Sequence, residues 1–247
     1  MNIAQYLDST YLKTPSQSGL SEEETLQKDK DLAQEAADNG IFAVMIRPDY
    51  IPEIKKYLQE RNSNVKVGTV IGFHEGTYSI DEKLAEASKA IEDGADELDF
   101  VINYNAYLQG NIGLIKEEFV KCTQLCLDHH KVAKWIIEIA ALTDEQIADL
   151  TKNISAWAEE SFSEKDLPYI FVKSSTGFFE TTGGKPNGAT FEGIKIMLDN
   201  AGKLPVKAAG GVRTPEDAEK MINMGVKRIG TSSALALIKN QSSSEGY

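Results

Sequence analysis

The sequence predicts one α/β domain folded as a single (β/α)8 TIM barrel, and three observations carry that expectation. Short apolar runs rich in β-branched residues alternate with longer amphipathic segments along the whole chain, the pattern of parallel strands joined by helices. Eight such runs can be counted, which suits a closed barrel better than an open doubly wound sheet. The chain has 247 residues, the length of one such barrel, with neither a repeat of fixed period nor an interdomain linker.

In order, strand candidates begin near Ile3, Phe42, Val65, Glu97, Ala133, Tyr169, Val206 and Arg228. Helical periods between them include Glu22 to Asn39, Ile80 to Asp93, Leu114 to His130 and Thr143 to Ser161. Start signals agree: Ser21 precedes Glu24 in capping-box spacing, and Thr214-Pro215-Glu216 sets a cap residue before a proline at the first helical position. Gly40 and Gly94 follow helix ends, where a left-handed residue is wanted. Two segments break the pattern. Glu180 to Gly188 is a glycine-rich loop after the sixth strand, long enough to move. Asn240 to Tyr247 is rich in serine and predicts little fixed structure, so a barrel domain is expected over residues 1–239 and a flexible tail over 240–247.

A hydrophobic content of 41% supports a sizeable core. Lysine plus arginine number 26 against 38 acidic residues, a formal charge of -12 that repels nucleic acid and anionic membranes, so neither is an expected partner. Cys122 and Cys126 stand four apart in a helical segment, where a disulfide does not form easily, and read as reduced helix residues. With His129 and His130 they make half a metal site that no second cluster completes, so no metal is expected. The N-terminus has no basic region before an apolar stretch and no run approaches membrane-spanning length; the expected location is the cytoplasm.

Two lysines stand where a chain hides apolar side chains. Lys173 closes the run Pro168-Tyr-Ile-Phe-Val-Lys, and Lys207 lies inside Leu204-Pro-Val-Lys-Ala-Ala. Desolvating an ammonium is costly, so burial lowers a lysine pKa, and a second cation nearby lowers it further. A neutral amine of that kind attacks carbonyls, which is Schiff-base chemistry. A lone lysine at a strand end would ordinarily reach into solvent; two in neighbouring strands weigh against that. Barrel enzymes place catalytic groups at the carboxyl ends of strands, and acidic candidates stand there too: Asp8, Asp99 and Glu138. Alternation turns Asp99 into the barrel with Glu97 and Val101. A buried ion network that merely holds the barrel is the alternative reading of these charges. Three loops offer small residues and backbone donors: Ser174-Ser-Thr-Gly177, Ala209-Gly-Gly-Val-Arg213 and Gly230-Thr-Ser-Ser233. Loops after the seventh and eighth strands with a helix N-terminus are the usual phosphate seat of such barrels. Thr176, Gly177, Gly210, Gly211, Arg213, Gly230, Ser232 and Ser233 are therefore the substrate- and phosphate-binding candidates, with Lys185 as a further counter-charge.

Across nearly its whole length the chain resembles the deoxyribose-phosphate aldolase family of class I Schiff-base aldolases. The resemblance rests on Leu98-Asp-Phe-Val-Ile-Asn, Ile136-Ile-Glu, Phe171-Val-Lys-Ser-Ser-Thr-Gly-Phe, Val206-Lys-Ala-Ala-Gly-Gly-Val-Arg and Arg228-Ile-Gly-Thr-Ser-Ser. It implies a carbinolamine and imine at Lys173, a pKa-lowering charge at Lys207, proton relay by Asp99 with a bound water, an early active-site aspartate at Asp8 and a tail tyrosine at Tyr247. It implies no cofactor, and a small phosphorylated sugar as partner; a homodimer is left open. His74 and Glu75, where many members carry a proline and an apolar residue, and Ile139-Ala140, where Thr-Gly is common, depart from the pattern, and the 180–188 loop is longer than usual. The reaction expected is cleavage of 2-deoxyribose 5-phosphate to acetaldehyde and glyceraldehyde 3-phosphate. The alternatives are another class I aldolase of a phosphorylated sugar and a non-catalytic sugar-phosphate sensor. Borohydride reduction with substrate separates enzyme from sensor, and product analysis separates the aldolases.

Overall fold

The structure, a computed structural model, describes residues 2–239. The tail over residues 240–247, Tyr247 included, lies outside the described residues. Eight parallel strands close in sequence order, each hydrogen-bonded to its neighbours and the last to the first. They are β1 (Leu7–Thr10), β2 (Ala43–Ile46), β3 (Lys66–Ile71), β4 (Glu97–Val101), β5 (Val132–Ile136), β6 (Ile170–Lys173), β7 (Val206–Ala209) and β8 (Arg228–Thr231). Around them in chain order run α1 (Pro15–Ser18), α2 (Glu22–Asn39), α3 (Ile51–Gln59), α4 (Ile80–Glu92), α5 (Tyr104–Leu108), α6 (Ile112–Asp128), α7 (Asp144–Ser161), α8 (Phe191–Asn200), α9 (Pro215–Met224) and α10 (Ala234–Ile238). The (β/α)8 barrel read from the sequence is the observed architecture.

Local chemistry sets the boundaries. Ser21 accepts from the Glu24 amide while the Glu24 carboxylate accepts from the Ser21 amide, so the capping box starts α2 as its spacing predicts. Thr214 accepts from the Asp217 amide with Pro215 at the first helical position, which opens α9. Gly40 ends α2 at φ 65°, a left-handed turn that needs no Cβ.

Side-chain alternation then sorts the strands into two faces. Phe100 on β4 and Trp135 on β5 stack at 4.9 Å on the helix side, where Phe119 of α6 packs 5.2 Å from Trp135 and Thr123 accepts the indole N–H at 2.9 Å. The next residues along, Asp99 and Lys134, therefore point into the barrel, together with Glu97. The outer layer is apolar and the inner layer is charged.

The first strand begins at Leu7, not near Ile3: residues Ile3–Tyr6 form a short 3-10 turn that buries Ala4. An apolar run this short reads the same in either state. The helix expected over Leu114 to His130 runs instead over Ile112–Asp128, because His130 already takes a left-handed φ of 56°. Cys122 and Cys126 are both buried and unbridged on α6.

Candidate active site

Six strands feed one buried charge cluster. Asp99 of β4 is its centre: its Oδ1 accepts from Lys134 at 2.7 Å, and its Oδ2 accepts from both Lys173 and Lys207 at 2.8 Å. Lys173 and Lys207 are directly registered partners on β6 and β7, which brings the two amines together. Lys207 also stands 2.5 Å from Asp8 Oδ2. Lys134 stands 2.7 Å from Glu97. Arg228, at the start of β8, donates to Glu97 at 3.0 Å and 3.2 Å and to Asp8, closing the cluster across the barrel. Every member is buried, Lys173 at 4% exposure and Lys207 and Asp99 at 0%.

The environment moves these groups in opposite directions. Burial alone would raise the Asp99 carboxyl, but Lys134, Lys173 and Lys207 overcome it and hold Asp99 well below the usual carboxylate range. Asp8 is likewise depressed, with Arg228 the strongest cation against burial. Lys207 is raised despite burial, because Asp8 and Asp99 both favour its charged form. Lys173 is pushed down to about 8: burial dominates, Asp99 opposes it, and Lys207 and Lys134 assist it. One lysine is thus a fixed cation, and its neighbour is an amine that is part neutral near neutral pH.

At the carboxyl ends of the strands the mouth is built around Glu138. This residue takes a left-handed φ of 55° just past β5, a strained conformation for a side chain with a Cβ. Its Oε2 accepts the Thr176 amide at 3.1 Å and the Thr176 hydroxyl, while Oε1 is buried with no hydrogen-bond partner. Burial raises its carboxyl to about 7 against those hydrogen bonds and the pull of Lys173. Ser174 bridges β6 and β7, accepting the Ala209 amide at 3.0 Å and donating to the Ala209 carbonyl at 3.2 Å. The 180–188 loop returns against the loop after β7, where the Ala189 amide donates to the Ala209 and Gly210 carbonyls. A Cβ on Gly188 would come within 2.5 Å of the Gly210 carbonyl carbon, so only glycine fits there. His74 stacks on Phe178 at 5.6 Å, Phe73 meets the same ring edge-on at 5.1 Å, and Phe179 meets Tyr104 at 6.2 Å, forming an aromatic wall on one side of the mouth.

Residues 3–240 match the model of the DeoC/LacD family aldolases. The chain belongs to this aldolase family. It is 38% identical to the deoxyribose-phosphate aldolase of Caldicellulosiruptor saccharolyticus, over 96% of both chains, and 37% identical to that of Thermococcus gammatolerans, over 99% of both. Among solved structures it superposes on the tetrameric deoxyribose phosphate aldolase of Aeropyrum pernix with a TM-score of 0.77 at 27% identity, covering 96% of this chain and 89% of that one.

The residues singled out in the sequence of this aldolase fall into two groups. Lys173, Lys207, Asp99 and Asp8 meet in one cluster as expected. Thr176, Gly177, Gly210, Gly211, Arg213, Gly230, Ser232 and Ser233 lie in the loops after β6, β7 and β8, three neighbouring strands of one mouth. Gly210 and Gly211 take φ of 73° and 82°, which glycine alone adopts without strain. Arg213 and Gly211 are exposed and Ser232 lines a groove with Thr10, Tyr11 and Phe178. The helix that follows Ser232 and Ser233 is short, five residues over Ala234–Ile238. Lys134 and Arg228 belong to the cluster but were not among the candidates. Lys134 carried the same signal as Lys173, a lysine inside the apolar run Val132-Ala-Lys-Trp-Ile.

Proposed function

We propose that this chain is a deoxyribose-phosphate aldolase that cleaves 2-deoxyribose 5-phosphate reversibly through a Schiff base on Lys173. The observation that carries the reading is the Lys173 amine, buried, lowered to about 8 and flanked by the permanent cation Lys207.

Neutral Lys173 adds to the C1 aldehyde, the carbonyl oxygen takes a proton, and loss of water from the carbinolamine leaves a protonated imine. The C3 hydroxyl gives its proton to a base, the C2–C3 electron pair flows to the imine nitrogen, and glyceraldehyde 3-phosphate departs from a neutral enamine. Protonation at C2 and return of water release acetaldehyde and the amine. Asp99, ionised beneath Lys173, serves the proton steps through a water, while Lys207 holds Lys173 neutral before attack. Backbone N–H groups of the loops carrying Gly210, Gly211, Ser232 and Ser233 receive the phosphate, with Thr176 and Gly177 lining the sugar end. Tyr247 joins the proton transfer at C2; deleting it lowers kcat and slows solvent-deuterium exchange into acetaldehyde while trapping at Lys173 persists.

No helix of the described residues is long and apolar enough to cross a membrane. A cytoplasmic enzyme fits the acidic composition and the two unbridged cysteines. Leu108, Ile112 and Leu114 are exposed at 45%, 37% and 37% around the α5–α6 turn and would suit a homodimer contact, which sedimentation equilibrium tests.

The deciding experiment is borohydride reduction in the presence of acetaldehyde, followed by peptide mapping. The adduct should lie on Lys173, and Lys173→Ala should lose both trapping and turnover. An adduct on Lys207, or none at all, overturns the reading.

A further inference from the structure

Inside the barrel the charges do not cancel. Among the described residues four cations, Lys134, Lys173, Lys207 and Arg228, meet three carboxylates, Asp8, Glu97 and Asp99, all buried. An uncompensated charge in such an interior is costly, so the cation with the weakest hold on a carboxylate is the one that gives up its proton. Arg228 donates twice to Glu97 and once to Asp8. Lys207 has Asp8 at 2.5 Å and Asp99 at 2.8 Å. Lys134 has Glu97 and Asp99 each at 2.7 Å, and Asp8 at 3.9 Å. Lys173 has a single carboxylate oxygen, Asp99 Oδ2, which it shares with Lys207. The other oxygen of Asp99 is taken by Lys134.

We infer that Lys134 is a positioning residue for the Schiff-base lysine: it supplies the interior's one-cation excess and, by occupying Asp99 Oδ1, leaves Lys173 only a shared oxygen. The inference rests on the aldolase reading and adds to it a residue on β5 that acts without touching substrate. Lys134 is faced by Glu97 and Asp99 from β4 and by Asp8 from β1, and its charge reaches Lys173 on β6. Lys173 is faced by Asp99 from β4, by Lys207 from β7 and by Lys134 and Glu138 from β5 and its end. Its depressed pKa agrees with the count, since releasing one proton at Lys173 brings the seven clustered side chains to neutrality, Glu138 standing apart at the mouth.

The count makes predictions with opposite signs. Lys134→Met leaves three cations on three carboxylates, which lets Lys173 stay charged; Glu97→Gln leaves four on two; the double variant restores an excess of one. The pH midpoint for borohydride trapping of acetaldehyde on Lys173 should therefore rise by about one unit or more in K134M, fall in E97Q, and return close to the wild-type value in the double variant. A merely structural lysine would lower yield or Tm without this pattern. If K134M does not fold, E97Q and the double variant still decide: a midpoint unchanged or raised in E97Q, or a double variant no closer to wild type than E97Q, overturns the inference. Absence of any Lys173 adduct in the wild-type enzyme is a different result, in which the aldolase reading itself fails.

Discussion

Glu138 meets two opposing demands, since two donors from Thr176 favour its carboxylate while burial favours its acid. Its pKa near 7 follows from that contest, and Lys173 feels the outcome because an ionised carboxyl at the mouth favours the ammonium. Glu138→Gln removes that negative charge, so the midpoint of imine trapping should move to lower pH by some tenths of a unit, the reverse of the shift expected when Lys207→Leu removes a cation. Trapping measured from pH 5 to pH 10 checks both signs. The same electrostatics explains which residues were legible. Lys173 and Lys207 stood out because each lay in an apolar run whose neighbours left no solvent-facing role. Lys134 followed the same rule, yet it stood before a tryptophan in a strand whose two faces are both buried, and the sequence does not say which carboxylates would meet it. Glu138 was visible as a polar residue ending an apolar strand, but the left-handed turn that aims it at Thr176 has no signature in an Ile-Ile-Glu-Ile run.

The β6–β7 seam is the thinnest part of the sheet, registered at only Val172 with Val206 and Lys173 with Lys207. Ser174 extends it by binding both the amide and the carbonyl of Ala209. Ser174→Ala would take the hydroxyl from the buried Ala209 amide, while the Ala209 carbonyl keeps the Ala189 amide, a loss of about 1–3 kcal/mol, seen as a fall in Tm of roughly 2–4 °C per kcal/mol for a chain this long. The 180–188 loop makes a second prediction at this scale. Gly188→Ala drives a methyl group into the Gly210 carbonyl and must lift the loop from its seat. KM should rise for the phosphorylated sugar more than for free deoxyribose, as steady-state kinetics on the two substrates would show. Helices were legible where capping chemistry marked them, as at Ser21 and Thr214, and the loop was legible from its glycines. Its docking was not, because a close approach of two backbones leaves only a glycine in the sequence.

For the molecule as a whole, folding carries a pH dependence that originates far from the lysines. Asp29 of α2 is 1% exposed, its Oδ1 has no hydrogen-bond partner, and burial raises its carboxyl from an ordinary 3.8 to about 8. Between those values the folded chain keeps a proton that the unfolded chain has released, so this group's contribution is full below about pH 4 and is lost as pH rises toward 8. Asp29→Asn should stabilise the protein, by a margin that widens with pH at up to about 1.4 kcal/mol per unit; urea unfolding at pH 5 and pH 8 measures the widening. The barrel itself was legible because its eight strand and helix periods alternate along the chain, and so was the meeting of Asp99 with Lys173 and Lys207, whereas the part Arg228 plays was not, since it joins residues as distant in sequence as Asp8 and Arg228. That last pair has a bearing on how the chain is made. Asp8 leaves the ribosome at the outset, yet its partners Lys207 and Arg228 are synthesised only as the final two strands appear. A nascent chain halted before β8 lacks Arg228, the partner shared by Asp8 and Glu97, and keeps two open strand edges. Closure of the barrel and completion of its interior charge pairing therefore wait on the same strand, the last of the eight to be synthesised.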